Sequence, residues 1–178
     1  KKYKIIGLVD NKKKIKNLKY KILGNDKNLN FLLTKYKFAH ISIGQIKNVK
    51  KREEIFLNLK KIGFKIPSII SPLAYVSPKA KIGEGTIVMH GAIINRGAVI
   101  GKNCIVNTKA LIEHDVFVGN NCHVSTRSTL NGGVILGNNS FIGSHAILKQ
   151  NIKVGKNCFI NANLFVNKNI KNNSRIYE

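Results

Sequence analysis

Ile100-Gly101-Lys102-Asn103-Cys104 returns eighteen residues later as Val118-Gly119-Asn120-Asn121-Cys122. It returns again as Leu136-Gly137-Asn138-Asn139-Ser140 and as Val154-Gly155-Lys156-Asn157-Cys158, and Ile82-Gly83-Glu84-Gly85-Thr86 is an earlier, divergent copy. A shorter beat runs inside the long one. An aliphatic residue recurs at every sixth position from Val76, Ile82 and Val88 through to Val166 without a miss. Four residues after each stands a small or aliphatic side chain: Ala80, Thr86, Ala92, Ala98, Cys104, Ala110, Val116, Cys122. Neither a helix nor a simple strand gives a six-residue period. A triangular coil does: each side is a short strand, each corner a tight turn, and three sides make one coil.

Successive coils then pair as parallel strands about 4.8 Å apart. Gly and Asn tolerate the positive φ that tight corners demand, so Asn103, Asn121, Asn139 and Asn157 are expected to stack along one edge. Cys104, Cys122 and Cys158 fall in one inward column with Ser140. That reading disfavours both a disulfide framework and a thiolate metal site, and it fits a reducing cytoplasm.

Before Pro67 the pattern changes. Apolar stretches at Lys4–Val9, Phe38–Ile43 and Lys65–Ile70 predict strands, and Leu29–Tyr36 and Asn48–Ile62 predict helices. The expected fold class is therefore an α/β N-terminal subdomain, Rossmann-like, over residues 1–70, followed by a left-handed parallel β-helix of hexapeptide repeats over residues 71–178. Ligands of parallel α/β units gather at the carboxyl ends of strands, which puts Asp10, Asn11, Gly44 and Gln45 in candidate substrate loops. On their own such residues also read as ordinary turn residues.

The charge is extreme, with 31 basic against 8 acidic residues, net +23. An anionic partner follows: nucleic acid, an acidic surface or a phosphorylated small molecule. The basic residues are mostly Lys spread along the chain, without the basic–aromatic clusters that stack bases, so a small anionic substrate is expected rather than nucleic acid. No apolar run approaches the ~20 residues of a membrane span.

One run is more selective than the repeat. Asn107-Thr108-Lys109-Ala110-Leu111-Ile112-Glu113-His114-Asp115 is followed by Cys122-His123-Val124-Ser125, Leu130-Asn131-Gly132-Gly133-Val134 and Ser140-Phe141-Ile142-Gly143. With Gly7-Leu8-Val9-Asp10-Asn11, Ile43-Gly44-Gln45 and Arg52, this resembles the sialic acid O-acetyltransferase and nucleotide-amino-sugar N-acetyltransferase family. The resemblance implies acetyl-CoA as co-substrate, His114 as catalytic base and Asp115 as its orienting acid. It implies His123 beside the thioester, and a homotrimer with sites between neighbouring β-helices. It also implies that the α/β part holds the nucleotide of a sugar substrate. The Gly-Gly-His loop and the Gly-x-Pro-Ala-Lys segment usual in the family are not found in these 178 residues.

The chemistry agrees with the resemblance. Acetyl transfer needs a base for the acceptor and a donor for the oxyanion, and neutral His is the natural base near pH 7. His114 is flanked by Glu113 and Asp115. On a strand both neighbours would leave by the opposite face; at a corner Asp115 can turn back. Eighteen residues beyond His114 lies Gly132, which leaves room above the base and offers a bare N–H. Gly132, Gly143 and Ser144 are expected coenzyme contacts beside His123, and Asn107 an acceptor contact. His123 also reads as filler for a trimer interface, and His90 and His145 as surface or interface residues. His114, His123 and His145 lack recognisable ligand spacing, so no metal is expected. The leading function is N-acetylation of a nucleotide-linked amino sugar. O-acetylation of a sialic-acid-like sugar and a non-catalytic β-helix scaffold are the alternatives.

Overall fold

The computed structural model describes residues 3–11, 19–46 and 48–178. Strand β1 (Leu8–Val9) pairs in parallel with β2 (Ile22–Gly24). Helices α1 (Leu29–Lys35) and α2 (Lys50–Ile62) follow. Their apolar faces close a small core of Leu29, Leu32, Ile41, Phe56, Leu59, Phe64 and Ile66. Helix α2 starts two residues later than the apolar pattern predicts, where Asn48 Oδ1 accepts the Lys50 N–H at 2.8 Å. It ends at Gly63, whose φ of 112° suits only glycine.

Three expected strands are shorter than predicted. Lys4–Val9 contributes only Leu8–Val9. Phe38–Ile43 makes a single bridge, Phe38 to Lys65. The reason is Arg52: its Nη1 donates to the carbonyls of Ile41 at 2.8 Å and Ile43 at 2.7 Å, bonds that a strand would have given to a neighbour. Of Lys65–Ile70, only Ile69–Ile70 is strand, and it pairs with Ile87–Val88 as the first rung of the β-helix.

From there the chain winds as a triangular prism with parallel sheets of seven, six and five strands. Each is named by a central strand. The His123 face stacks Ile105–Val106, His123–Val124, Phe141–Ile142 and their equivalents. The Leu111 face stacks Ile93–Ile94, Leu111–Ile112 and Thr129–Leu130. The Phe117 face stacks Val99–Ile100, Phe117–Val118 and Ile135–Leu136. Partners are eighteen residues apart, as in Leu111 with Thr129. The rung from Phe159 to Arg175 is shorter by two.

The interior is the aliphatic column the repeat implies: Ile94, Ile112, Leu130 and Leu148 on one face are fully buried, like their counterparts on the others. Small donors line one inner corner. Thr86, Cys104, Cys122, Ser140 and Cys158 each donate to a backbone carbonyl of the next coil, for example Cys104 Sγ to Gly119 O at 3.0 Å and Ser140 Oγ to Gly155 O at 3.0 Å. The column therefore selects a short side chain with a hydrogen to give, which is why Cys, Ser and Thr interchange there. The asparagine edge forms as expected. Asn103 Nδ2 donates to Asn121 Oδ1 at 2.9 Å and Asn121 Nδ2 to Asn139 Oδ1 at 3.1 Å, all three with φ near 60°.

Candidate active site

The corner joining the Leu111 and Phe117 faces carries Glu113-His114-Asp115-Val116. Asp115 occupies the left-handed turn position, φ 59°, and its backbone N–H is held by the Arg96 carbonyl at 3.0 Å. This conformation, which Asp tolerates, brings the carboxylate back to its neighbour: His114 Nδ1 lies 3.0 Å from Asp115 Oδ2. An ionised carboxylate can only accept, so Nδ1 carries the hydrogen, and in the neutral ring Nε2 is the nitrogen with the lone pair. Glu113 turns instead to Asn95, whose Nδ2 donates to its Oε2 at 2.9 Å.

Gly132 lies one coil on. A Cβ there would fall 2.6 Å from His114 Nε2, so glycine keeps the space over the base clear. Among the described residues no backbone carbonyl takes its N–H, whereas the next one, Gly133, donates to His114 O at 3.0 Å. His114 and Asp115 are both well exposed, with 58% and 72% of their side chains accessible.

His123 is different. It lies on the His123 face, only 7% exposed, beneath the N-terminal part. Its Nδ1 is 2.6 Å from the Gln45 carbonyl and its Nε2 3.1 Å from Asn107 Nδ2. Asn107 Oδ1 in turn accepts the Thr108 N–H at 2.7 Å. The directions are forced from both ends. A carbonyl only accepts, so His123 is protonated on Nδ1; a backbone N–H only donates, so the Asn107 amide turns its nitrogen to His123. Burial, with Arg52 nearby, pushes the His123 pKa below its ordinary value, against the opposing pull of the Gln45 carbonyl. The Phe141 ring meets the imidazole edge-on at 5.2 Å.

Two groups of expected residues therefore come together separately. His114, Asp115 and Gly132 share one corner; Gln45, Asn107 and His123 meet on the His123 face. Gly143 and Ser144 sit at the Asn107 corner, which joins the His123 and Leu111 faces. Ser144 Oγ pairs with Ser125 Oγ at 3.0 Å. A Cβ on Gly143 would meet the Asn161–Ala162 backbone at 2.5 Å, so coil stacking alone demands glycine there. Asp10 and Asn11 lie apart, against the Gly24–Asp26 turn: Asp10 N donates to Gly24 O at 3.1 Å and Asn11 Nδ2 to Asp26 Oδ2 at 3.1 Å. Gly44 is exposed, and a Cβ there would meet no described atom within 4 Å beyond its chain neighbours.

Sequence reasoning missed a cleft of about 200 Å³ below His123, lined by Gln45, Val49, Lys50, Phe141, Phe159 and Arg175. Phe141 and Phe159 stack there at 5.1 Å. Their eighteen-residue spacing from His123 was the available signal. Among the described residues no His, Cys, Asp or Glu cluster could hold a metal ion, and no helix is long and apolar enough to cross a membrane.

Known proteins share this architecture. The family model described as bacterial transferase hexapeptide (six repeats) matches residues 115–150, and that described as hexapeptide repeat of succinyl-transferase matches residues 133–168. A search of curated sequences found no match. Among solved structures, the acetyltransferase domain of PglB from Neisseria gonorrhoeae FA1090, in complex with acetyl coenzyme A, superposes with a TM-score of 0.90 at 29% identity, over 97% of this chain and 83% of that one. A variant of perosamine N-acetyltransferase from Caulobacter crescentus, with CoA and GDP-perosamine, gives 0.88 at 28% identity, over 93% and 78%. WeeI from Acinetobacter baumannii AYE shares the fold, TM-score 0.82, at 20% identity over 95% and 81%. The chain is an acetyltransferase built on hexapeptide repeats, similar over nearly its whole length to the PglB acetyltransferase domain and to perosamine N-acetyltransferase.

Proposed function

We propose that this chain transfers an acetyl group from acetyl-CoA to the amino group of a nucleotide-linked amino sugar, with His114 as general base. The observation that carries the reading is the His114–Asp115 pair at 3.0 Å with Gly132 clearing the space over Nε2. Acetyl-CoA supplies an activated acyl group as a thioester, and the residues present fit it, since any side chain at position 132 would fill the place beside the base. The sugar amine attacks the thioester carbonyl carbon, the new C–N bond forms and the C–S bond breaks. His114 Nε2 takes the proton from the amine and returns one to the departing sulfur. Asp115 holds the imidazole and stabilises the imidazolium that forms meanwhile. The Gly132 N–H and the second N–H of Asn107 are the donors for the charge developing on the carbonyl oxygen. Asp10, Asn11, Gly44 and Gln45 are the proposed contacts of the nucleotide sugar, with Gly143 and Ser144 along the coenzyme.

The two half-sites call for a second copy. The Leu111 face lies between the Asn107 and His114 corners, and its outward column exposes Tyr75, Ile93, Ile147 and Phe165. Three copies packed with that face toward a common axis would bring each His114 corner against a neighbour's Asn107 corner. The proposed assembly is therefore a homotrimer whose sites are shared between chains.

The test is thiol release from acetyl-CoA with mass spectrometry of the products, run on UDP- and GDP-linked amino sugars and on sialic acids, with His114→Ala as control. An acetylated amino sugar that disappears with His114→Ala supports the reading; acetylation of hydroxyls alone, or undiminished turnover by His114→Ala, overturns it.

A further inference from the structure

From Gly85 to Asn163 each corner of the β-helix has one left-handed position, and these positions stack into three columns. On the asparagine edge the column is Gly or Asn throughout, and at the His114 corner it is Gly, Asp or Asn. Those are the residues that reach positive φ at least cost. The third column, at the Asn107 corner, departs from this. Between Gly91 and Asn163 it holds Lys109 (φ 57°), Arg127 (φ 55°) and His145 (φ 60°) on three successive coils. Histidine is enriched at positive φ along with Asn and Asp; lysine and arginine are uncommon there.

The column carries a second penalty. Coils are about 4.8 Å apart, so like charges are stacked over roughly 10 Å and repel. All three side chains are exposed in the single chain, and burial within it does not repay the strain. Nor does ion pairing: among the described residues the ion pairs are Lys60 with Glu84 and His114 with Asp115. Strain confined to one column, where the same turn elsewhere is built without it, points to a ligand.

We infer that Lys109 and Arg127, with His145 on the next coil, form an anion-binding column that takes phosphate groups of a substrate. The ligand chemistry is a diphosphate or phosphate monoester, which Arg grips through paired N–H donors and Lys as a point charge. The inference rests on the acetyltransferase reading for its two sources, acetyl-CoA and the nucleotide diphosphate of the acceptor. It does not rest on that reading for the column itself.

Arg127→Gly and Lys109→Asn remove a charge and restore a residue suited to the turn. Binding of acetyl-CoA, GDP, UDP and inorganic pyrophosphate would be measured by calorimetry on the full chain, with the melting midpoint recorded alongside. The expected result is a midpoint held or raised together with binding weakened at least about tenfold, the scale of one lost charged hydrogen bond. Weakening for acetyl-CoA alone assigns the column to the coenzyme; weakening for GDP or UDP alone assigns it to the acceptor. Wild-type binding of pyrophosphate only, lost in Arg127→Gly, keeps the column and counts against the acetyltransferase reading. Equal binding by wild type and variants, a lowered midpoint, or no binding of any probe by the wild type overturns the proposal.

Discussion

The backbone carbonyl of Gln45 accepts a hydrogen bond from Nδ1 of His123 at 2.6 Å across 78 positions of sequence. The bond fixes the imidazole as its neutral Nδ1–H tautomer and leaves Nε2 to receive the Asn107 amide. His123 is thus a positioning residue for Asn107, and the same contact pins the N-terminal loop to the β-helix.

Stability should therefore depend on pH in a defined direction. His123 and His40 both have pKa values lowered chiefly by burial, with Arg52 adding to the shift. The unfolded chain binds their protons first, so stability is full above the ordinary histidine value of about 6.5 and falls as pH drops below it. The melting midpoint should decline below that pH. His123→Gln, whose amide can donate to Gln45 and accept from Asn107, should flatten part of the decline and retain more activity than His123→Ala.

His114→Ala should lower kcat by about 10²–10⁴, the usual contribution of a general base, with the midpoint unchanged. Asp115→Asn keeps a residue suited to φ 59° and removes only the charge. Its loss of kcat should be smaller than that of His114→Ala, and its KM for acetyl-CoA should stay close to wild type. Steady-state kinetics with circular dichroism checks both.

Two glycine substitutions should part company. The Cβ of Gly132→Ala meets the far end of an exposed imidazole, which can swing away. Activity should fall at least about tenfold with little change in stability, because the displaced ring is the proposed base. The Cβ of Gly137→Ala meets the backbone of Gly155 and Lys156 at 2.6 Å. Overpacking of that kind costs about 1–3 kcal/mol. Denaturant titration of the two variants separates the roles.

A charge on the Leu111 face should dissolve the assembly. Ile147→Glu places a carboxylate in the exposed apolar column between Tyr75 and Phe165 without touching the interior. Sedimentation should show smaller particles, and activity should be lost with them, since the proposed site is shared between chains.

The repeat made the β-helix legible because its period is set by local geometry: six residues to a side, one inward aliphatic, one left-handed corner. The same arithmetic put Gly132 above His114. Asp115 could be read only conditionally, since the pairing depends on the φ of that single residue. The link from Gln45 to His123 was out of reach because nothing local marks a contact between a loop and a strand so distant in sequence. The N-terminal strands failed for a related reason: the apolar run Phe38–Ile43 has strand composition, but a buried arginine from α2 takes its carbonyls.

The eighteen-residue register has an evolutionary corollary. Loss or gain of one residue within the coils would rotate every later side chain off its column, turning inward aliphatics out and moving the left-handed corners onto residues unable to adopt them. Removal of a whole turn, such as residues 137–154, would leave every column intact and the prism one storey shorter. Length variation among relatives of this chain should accordingly come in whole turns, or gather where the register already slips, between Phe159 and Arg175.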